Sequence, residues 1–280
     1  MRKYRKPHRI KKRKLFFRNR FFWLGILILI IFGGVFYLIC FHSLFQVKVI
    51  KISGNQKVAL EDLENLLNKK INHPPPIFWW GASQSIFLAD FSEIKKEILK
   101  NFPQIEETDL KRKFPNRILI QIKERKPVAV FCFTRLSFPS ENLGGRDDNC
   151  FFIDKYGIAF ERAITREDLV TLKKEITREI NLGEKIVEEE QLSKILEVEA
   201  KLKNELKILV QELLIVSEAR FEAKTLEGFQ IYFNFQEDLD WQLTKLKAVL
   251  EEEISQERRK NLEYIDVRFG NFAPYKYREQ

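Results

Sequence analysis

One uncharged stretch, FFWLGILILIIFGGVFYLICF at residues 21–41, limits what this chain can fold into. As an α-helix it would be about 31 Å long, which matches the hydrocarbon thickness of a bilayer. A cleaved signal peptide would have a shorter apolar core and a small-residue cleavage site, whereas Phe41, His42 and Leu44 follow the core here. The sequence therefore predicts a transmembrane helix over 21–41 that stays on the chain as an anchor.

The charge distribution predicts how this helix is oriented. Residues 1–20 hold eleven Lys or Arg and no acidic residue, whereas the rest of the chain has 38 basic against 40 acidic groups. The positive-inside rule places this basic tail in the cytoplasm and everything from His42 onward outside. A nucleic-acid-binding domain would carry its own basic face, so the charge pattern favours a lipid bilayer contact and no nucleic-acid partner.

The first segment outside the helix has the pattern of a small mixed domain, residues 45–126. A strand is predicted from the alternation in FQVKVIKISGNQ, which ends at the turn residues Gly54 and Asn55. A helix follows in VALEDLENLLNKK, and Asp90 caps a second one. Two strands, IEETDLKRKF and NRILIQIKER, complete a strand–helix–helix–strand–strand unit.

Between the two helices lies HPPPIFWWGASQ, in which the prolines exclude a helix. Its apolar residues 77–80 either pack on their own domain or contact a membrane surface or a partner. The sequence leaves the role of Pro74 to Trp80 open.

Residues 127–280 read as a second domain, mostly antiparallel sheet with packed helices, so the fold class of the external part is α+β. Helices are predicted from EQLSKILEVEAKLKNEL and DLDWQLTKLKAVLEEEI, and a hairpin turning at Glu227 and Gly228 lies between them. The chain closes with YIDVRFGNFAPYKYR, which alternates like a strand. One face has Ile265, Val267 and Phe269, and the other has Tyr264, Asp266 and Arg268. If one side of this strand is open, it is a template for another chain.

Two external cysteines, Cys132 and Cys150, flank a polar segment. The sequence leaves open whether they form a disulfide in an oxidising compartment or are two buried free thiols.

The sequence gives little support for an enzyme or a metal-binding protein. It predicts no catalytic residue, metal or cofactor. The three histidines are far apart in the sequence, and no serine-hydrolase or phosphate-binding motif occurs. Ser92 to Lys95 formally matches Ser-x-x-Lys, but its companion motifs are missing and a helix start explains Ser92. The RDDN segment at 146–149 lacks the further oxygen ligands that calcium needs.

Four motifs, in order, resemble one known family. The segments FQVKVIKISGN and KFPNRILIQIKERKPVAVF are similar to the POTRA module and its exit strand in the FtsQ/DivIB family of bacterial cell-division proteins. FFIDKYGIAF resembles a pattern in that family's following β domain, and YIDVRFGN resembles its last strand. The resemblance divides the chain into a tail (1–20), a span (21–41), a POTRA domain (45–126) and a β domain (127–280).

The resemblance implies a non-catalytic scaffold that crosses the cell membrane once and acts at the division septum. In the family, membrane-anchored partners of the FtsB/DivIC type, which also pair with FtsL, bind by adding a strand to the edge formed by the last strand. On this basis Val267, Arg268, Phe269 and Gly270 would present the edge, with Tyr264 and Asp266 in the same strand. Arg268 and Phe269 fall on family positions that contact the partner, and no small-molecule substrate is implied.

Two other functions remain open at this point. POTRA units also serve in outer-membrane assembly and secretion, where they occur in tandem or precede a barrel, and neither feature is visible here. A membrane-anchored cell-wall hydrolase is the other alternative, and turnover of peptidoglycan would identify it.

Overall fold

The computed structural model describes residues 20–71, 84–135, 150–163, 168–176 and 178–279. The basic tail, the insertion at Pro74 to Trp80 and the RDDN segment therefore lie outside the described residues. Helix α1, Arg20–Phe41, is long and apolar enough to cross a membrane. Its bounds match the predicted span, and most of its side chains are exposed, as expected for a helix that faces lipid.

The chain forms two compact units that alternate along the sequence. The first contains the described residues up to Ser53 and the ranges 59–96 and 109–121, and the second contains 54–58, 97–108 and the chain from Ile122 onward. The chain crosses from one unit to the other five times, at 53/54, 58/59, 96/97, 108/109 and 121/122.

The region after α1 has the predicted order of strand, two helices and two strands. Strand β1 runs parallel to β3, with Ile50 opposite Ile118 and Ile52 opposite Ile120, and the sheet order is β1-β3-β2. The elements are β1 Val49–Ser53, α2 Leu60–Ile71, α3 Phe91–Asn101, β2 Ile105–Lys113 and β3 Arg117–Glu124. Fully buried aliphatic side chains from these elements include Leu63, Leu67, Ile98, Ile105, Ile118 and Ile120.

Asp90 is the N-terminal cap of α3, as predicted from the sequence. Its Oδ1 accepts the backbone N–H of Ser92 at 2.9 Å and that of Glu93 at 3.3 Å. The hydroxyl of Ser92 donates to the same oxygen at 2.7 Å. These bonds satisfy the unpaired donors of the first helical turn, and they give Ser92 a structural role.

The remaining elements form one nine-stranded sheet with order β12-β11-β10-β9-β8-β7-β4-β5-β6. Most neighbouring strands are antiparallel, and the pairs β4/β7, β7/β8 and β10/β11 are parallel. The predicted α+β class is thus confirmed. The strands are β4 Ala129–Arg135, β5 Cys150–Ile153, β6 Ala159–Arg162, β7 Thr171–Ile176, β8 Val210–Ile215, β9 Arg220–Thr225, β10 Gln230–Asn234, β11 Leu262–Asp266 and β12 Tyr275–Tyr277. The helices are α4 Glu189–Asn204, α5 Leu239–Glu252 and α6 Gln256–Arg259.

Helices α4 and α5 place their predicted apolar faces in the core of this sheet. The buried residues of α4 are Leu192, Ile195, Val198 and Leu202, and those of α5 include Leu243, Leu246 and Leu250. The predicted hairpin is β9–β10, and Gly228 in its turn has φ +96°, which only glycine adopts without strain.

Strands β7 and β8 are not among the elements predicted from the sequence. Lys173 of β7 pairs with Glu212 of β8 at 2.5 Å, and Lys224 of β9 reaches the same carboxylate at 3.4 Å. Opposite charges on neighbouring strands stabilise one face of a sheet, while Leu172 and Leu213 fill the core on the other face.

At the end of β3, the carboxylate of Glu124 binds three successive backbone donors. Its Oε1 accepts the N–H groups of Gln56 at 2.7 Å, Lys57 at 2.8 Å and Val58 at 3.0 Å. Partial burial alone would raise the pKa of Glu124, but these donors outweigh it and the pKa is lowered.

We expect Glu124→Gln to lower the free energy of unfolding by about 2 kcal/mol at pH 7, because hydrogen bonds to a charged group are lost. A lowered carboxyl pKa in the folded state gives stability that is fully present above the unfolded pKa, about 4.3, and is lost as the pH falls through the folded pKa. Urea unfolding at several pH values should therefore show the difference between wild type and variant shrinking below pH 4. A difference that is constant with pH would contradict this role for the carboxylate.

Cys132 and Cys150 lie opposite each other in the β4–β5 pair, and their sulfur atoms are joined in a disulfide. The bridge spans a sequence separation of 18 residues. A cross-link over a loop of this size reduces the entropy of the unfolded chain.

We expect the double variant Cys132→Ala, Cys150→Ala to lose about 3 kcal/mol of unfolding free energy, the value typical of a loop of this length. Chemical denaturation measures the loss. Reduction of the wild type with dithiothreitol is the matched control, since it should lower the stability by a similar amount and leave the variant unchanged.

Candidate functional site

The C-terminal edge of the nine-stranded sheet differs from the edge predicted from the sequence. Strand β11 pairs in parallel with β10, with Tyr264 opposite Gln230 and Ile265 opposite Ile231. Its other side is covered by β12, where Tyr275 lies opposite Ile265. The expectation that the strand through Tyr264 and Asp266 is itself the open edge is therefore wrong, and β12 is the edge strand of the described sheet.

The strand also ends earlier than predicted. Val267 is fully buried, its N–H donates to the carbonyl of Tyr232 at 3.2 Å, and it does not present an edge. Arg268, Phe269 and Gly270 belong to the turn that leads to β12. The alternation of Ile265, Val267 and Phe269 continued past the last strand residue, so it gave the wrong end. Gly270 and Pro274 were the signals that the chain reverses here.

Within this turn, Arg268 forms a two-point ion pair with Asp266. Its Nε donates to Oδ1 at 2.9 Å and a terminal nitrogen donates to Oδ2 at 2.6 Å. The Asp266 carboxylate is buried, and this hydrogen bond raises the pKa of Arg268. The guanidinium also lies 5.0 Å from the ring centre of Phe269 and 5.6 Å from that of Tyr232. Arg268 is therefore fixed by its neighbours and is only partly exposed.

Two side chains of helix α5, one helical turn apart, donate hydrogen bonds to backbone carbonyl groups of this turn. The buried Lys245 donates from Nζ to the carbonyl oxygens of Val267 at 2.6 Å and Phe269 at 3.0 Å. Trp241 donates from Nε1 to the carbonyl of Gly270 at 3.1 Å. Burial lowers the pKa of Lys245, and the carboxylate of Asp266 partly opposes this. Sequence analysis missed both residues, because only the fold places them against the turn.

Three aromatic side chains remain open to solvent at this turn. Trp241 is 47% exposed, Phe269 is 56% exposed and Phe272 is 78% exposed. Large exposed aromatic side chains at one place are a common feature of protein interaction sites. Of the six residues predicted to bind a partner, Phe269 and Gly270 are the exposed ones.

The outer side of β12 carries backbone groups that point away from the sheet. Asp266 donates its N–H to the carbonyl of Pro274, and Arg278 donates its N–H to that of Asn261, both at 2.8 Å. Successive residues of an antiparallel strand direct their backbone groups to alternate sides. The N–H and C=O groups of Tyr275 and Tyr277 consequently face outward.

Side chains hold β12 in place. Lys276 pairs with Glu263 at 2.9 Å, the Arg278 guanidinium donates to the carbonyl of Gly228, and the rings of Tyr275 and Tyr277 pack on the core.

The disulfide between Cys132 and Cys150 lies near the opposite end of the strand order. Among the described residues, no cluster of His, Cys, Asp and Glu has the arrangement of a metal site.

We expect Arg268→Glu to lower the free energy of unfolding by about 3 kcal/mol, because it removes the partner of the buried Asp266 and adds a second carboxylate. Lys247→Glu is the matched control: Lys247 is exposed on α5, and its charge reversal should stay within about 0.5 kcal/mol. Thermal or urea unfolding measures both. Equal effects of the two reversals would show that the Arg268–Asp266 pair is not needed for the fold.

A helix long and apolar enough to cross a membrane, a βααββ unit and a larger mixed sheet together fit a membrane-anchored protein with a POTRA-type module. The family described as "POTRA domain, FtsQ-type" matches residues 45–125, and the one described as "Cell division protein FtsQ/DivIB, C-terminal" matches residues 145–268. The chain belongs to the FtsQ/DivIB family of cell-division proteins.

A curated relative agrees with this assignment. The chain is 27% identical over 244 residues to the "Cell division protein DivIB" of Clostridium tetani. The aligned region covers 83% of this chain and 80% of the relative. The expected family is thereby confirmed.

Proposed function

We propose that this protein is a non-catalytic scaffold of the division machinery that binds membrane-anchored partners of the FtsB/DivIC and FtsL type. It crosses the cell membrane once, with the basic tail in the cytoplasm and the POTRA and β domains (45–126 and 127–280) outside. Its place of action is the division septum. Membership of the FtsQ/DivIB family and the apolar helix α1 support this proposal.

The observation that carries the binding mode is the outward direction of the Tyr275 and Tyr277 backbone groups. A partner segment in extended conformation would continue the sheet beyond β12, with affinity from main-chain hydrogen bonds and specificity from side chains at the ends. The sequence predicted the contact at residues 264–270. The proposed contact now lies at β12 instead, with Phe269 retained from the predicted residues. Phe269 and Phe272 in the preceding turn would meet the side chains of the incoming segment.

Membrane anchoring supports a weak edge contact. The outward groups of Tyr275 and Tyr277 provide at most two donors and two acceptors, and one hydrogen bond contributes about 1 kcal/mol. Partners tethered to the same bilayer meet at a raised effective concentration, so a modest affinity is sufficient.

We expect Tyr277→Pro in the full chain to weaken binding of the partner's external segment about five- to hundredfold. The change removes an outward N–H, and leaving its acceptor unpaired costs about 1–3 kcal/mol. The affinity can be measured with the wild type and variant reconstituted in nanodiscs, alongside their urea unfolding curves.

Lys276→Pro is the matched control for this experiment. Its N–H faces β11, so this change should destabilise the end of the sheet by removing a strand hydrogen bond, whereas Tyr277→Pro keeps that bond and loses the core packing of the Tyr277 ring. Tyr277→Ala removes the same ring but keeps the outward N–H, so it should destabilise the domain about as much as Tyr277→Pro and bind the partner like the wild type. A folded Tyr277→Pro variant with wild-type affinity would contradict strand addition at β12. A folded wild type that binds no such partner would contradict the scaffold proposal itself.

A further inference from the structure

The end of α1 is fastened to a turn that lies far from it in the sequence. The hydroxyl of Ser85 donates to the carbonyl of Ile39 at 2.8 Å, inside the last turn of the helix. The N–H of Ile86 donates to the carbonyl of Phe45 at 2.8 Å. Because α1 is the apolar anchor, these bonds place the turn at residues 85–88 beside the point where the chain leaves the membrane.

A row of apolar side chains extends from this point. The ring centres of Phe45 and Phe87 are 5.5 Å apart, and those of Phe87 and Phe114 are 5.2 Å apart. Leu44 is 50% exposed, Phe87 is 42% exposed and Phe114 is 56% exposed. We call Leu44, Phe45, Phe87 and Phe114 the aromatic row. Its far end, Phe114, lies in the turn between β2 and β3.

The aromatic row is held by hydrogen bonds and is not a loose loop. The guanidinium of Arg112 donates to the carbonyl oxygens of Ile86 and Ala89, each at 2.8 Å, and lies 4.2 Å from the ring centre of Phe91. This ties the turn that carries Phe87 to strand β2, which leads into Phe114. Neighbouring apolar side chains that are held in exposed positions are typical of surfaces that contact a membrane or another protein.

Charge around the aromatic row favours a lipid surface. The backbone N–H of Lys48 donates to the carbonyl of Asn116 at 3.0 Å, which brings Lys48 to the turn that holds Phe114. Lys113 and Arg117 flank the same turn, and all three cationic side chains are exposed. Aromatic rings next to Lys and Arg are the residues that segments lying in the membrane interface use.

We propose that the aromatic row lies in the boundary between headgroups and acyl chains, in the leaflet at the C-terminal end of α1. Phe87 and Phe114 would be immersed in this boundary, with Lys113 and Arg117 at the phosphate level. The first unit then rests on the bilayer at a second point beside the anchor helix, which restricts its rotation about α1. The proposal rests on α1 spanning a membrane and is independent of partner binding at β12.

Photo-crosslinking tests this contact directly. The full chain, with p-benzoyl-phenylalanine at position 114, is reconstituted in nanodiscs of phosphatidylcholine and phosphatidylglycerol, irradiated and analysed by intact-mass spectrometry. Position 35 in α1 is the positive control, because Val35 is exposed to lipid in a spanning helix. The sample with the probe at position 114 that is kept in the dark is the negative control.

We expect lipid-mass adducts at positions 35 and 114 after irradiation and none in the dark sample. Adducts at 35 without adducts at 114 would overturn the proposal, and so would a crosslink from 114 to a second protein chain. Should the probe at 114 prevent folding, judged by circular dichroism, position 87 in the same row replaces it, with the same outcomes. A missing adduct at 35 as well would overturn the anchor on which the proposal rests, whereas the partner-binding test at β12 would be unaffected.

Discussion

The parallel pairing of β10 and β11 is the constraint on which the end of the sheet depends. Two parallel neighbours require a crossover, and α5 provides it between Asn234 and Leu262. The crossover helix packs its apolar face on the sheet it connects, so Leu243, Leu246 and Leu250 enter the core. The same packing brings the two polar supports of the next turn, Trp241 and Lys245, beneath the end of β11.

A buried lysine at this position has a clear physical function. The chain stops making strand hydrogen bonds after Val267, and its carbonyl oxygens would otherwise lack donors in a partly buried place. Lys245 supplies donors to the carbonyl oxygens of Val267 and Phe269, and the nearby carboxylate of Asp266 compensates its charge. The turn is therefore preformed, which would lower the entropy cost of binding the proposed partner.

Much of the fold could be predicted from the sequence, because its helices and the first strands have strong periodic patterns. Helix α1 follows from the absence of charge, and α4 and α5 follow from leucine and isoleucine at helical spacing. Strands β7 and β8 were hidden because Lys173 and Glu212 look like solvated charges until their pairing across strands is known. Local sequence does not contain that pairing, which depends on the register of distant segments.

Prediction of the candidate site from local sequence was limited in the same way. Alternation at Ile265 and Val267 identified a half-buried strand, but alternation does not tell whether a strand has one neighbour or two. The resemblance placed the open edge at YIDVRFGN, but β12, which consists of only three residues, Tyr275–Tyr277, covers that strand. The shortness of β12 also has a protective consequence. A long, flat edge strand would let copies of the protein pair edge to edge and aggregate. An edge of three residues, followed by the charged Arg278 and Glu279, offers few backbone groups for such pairing.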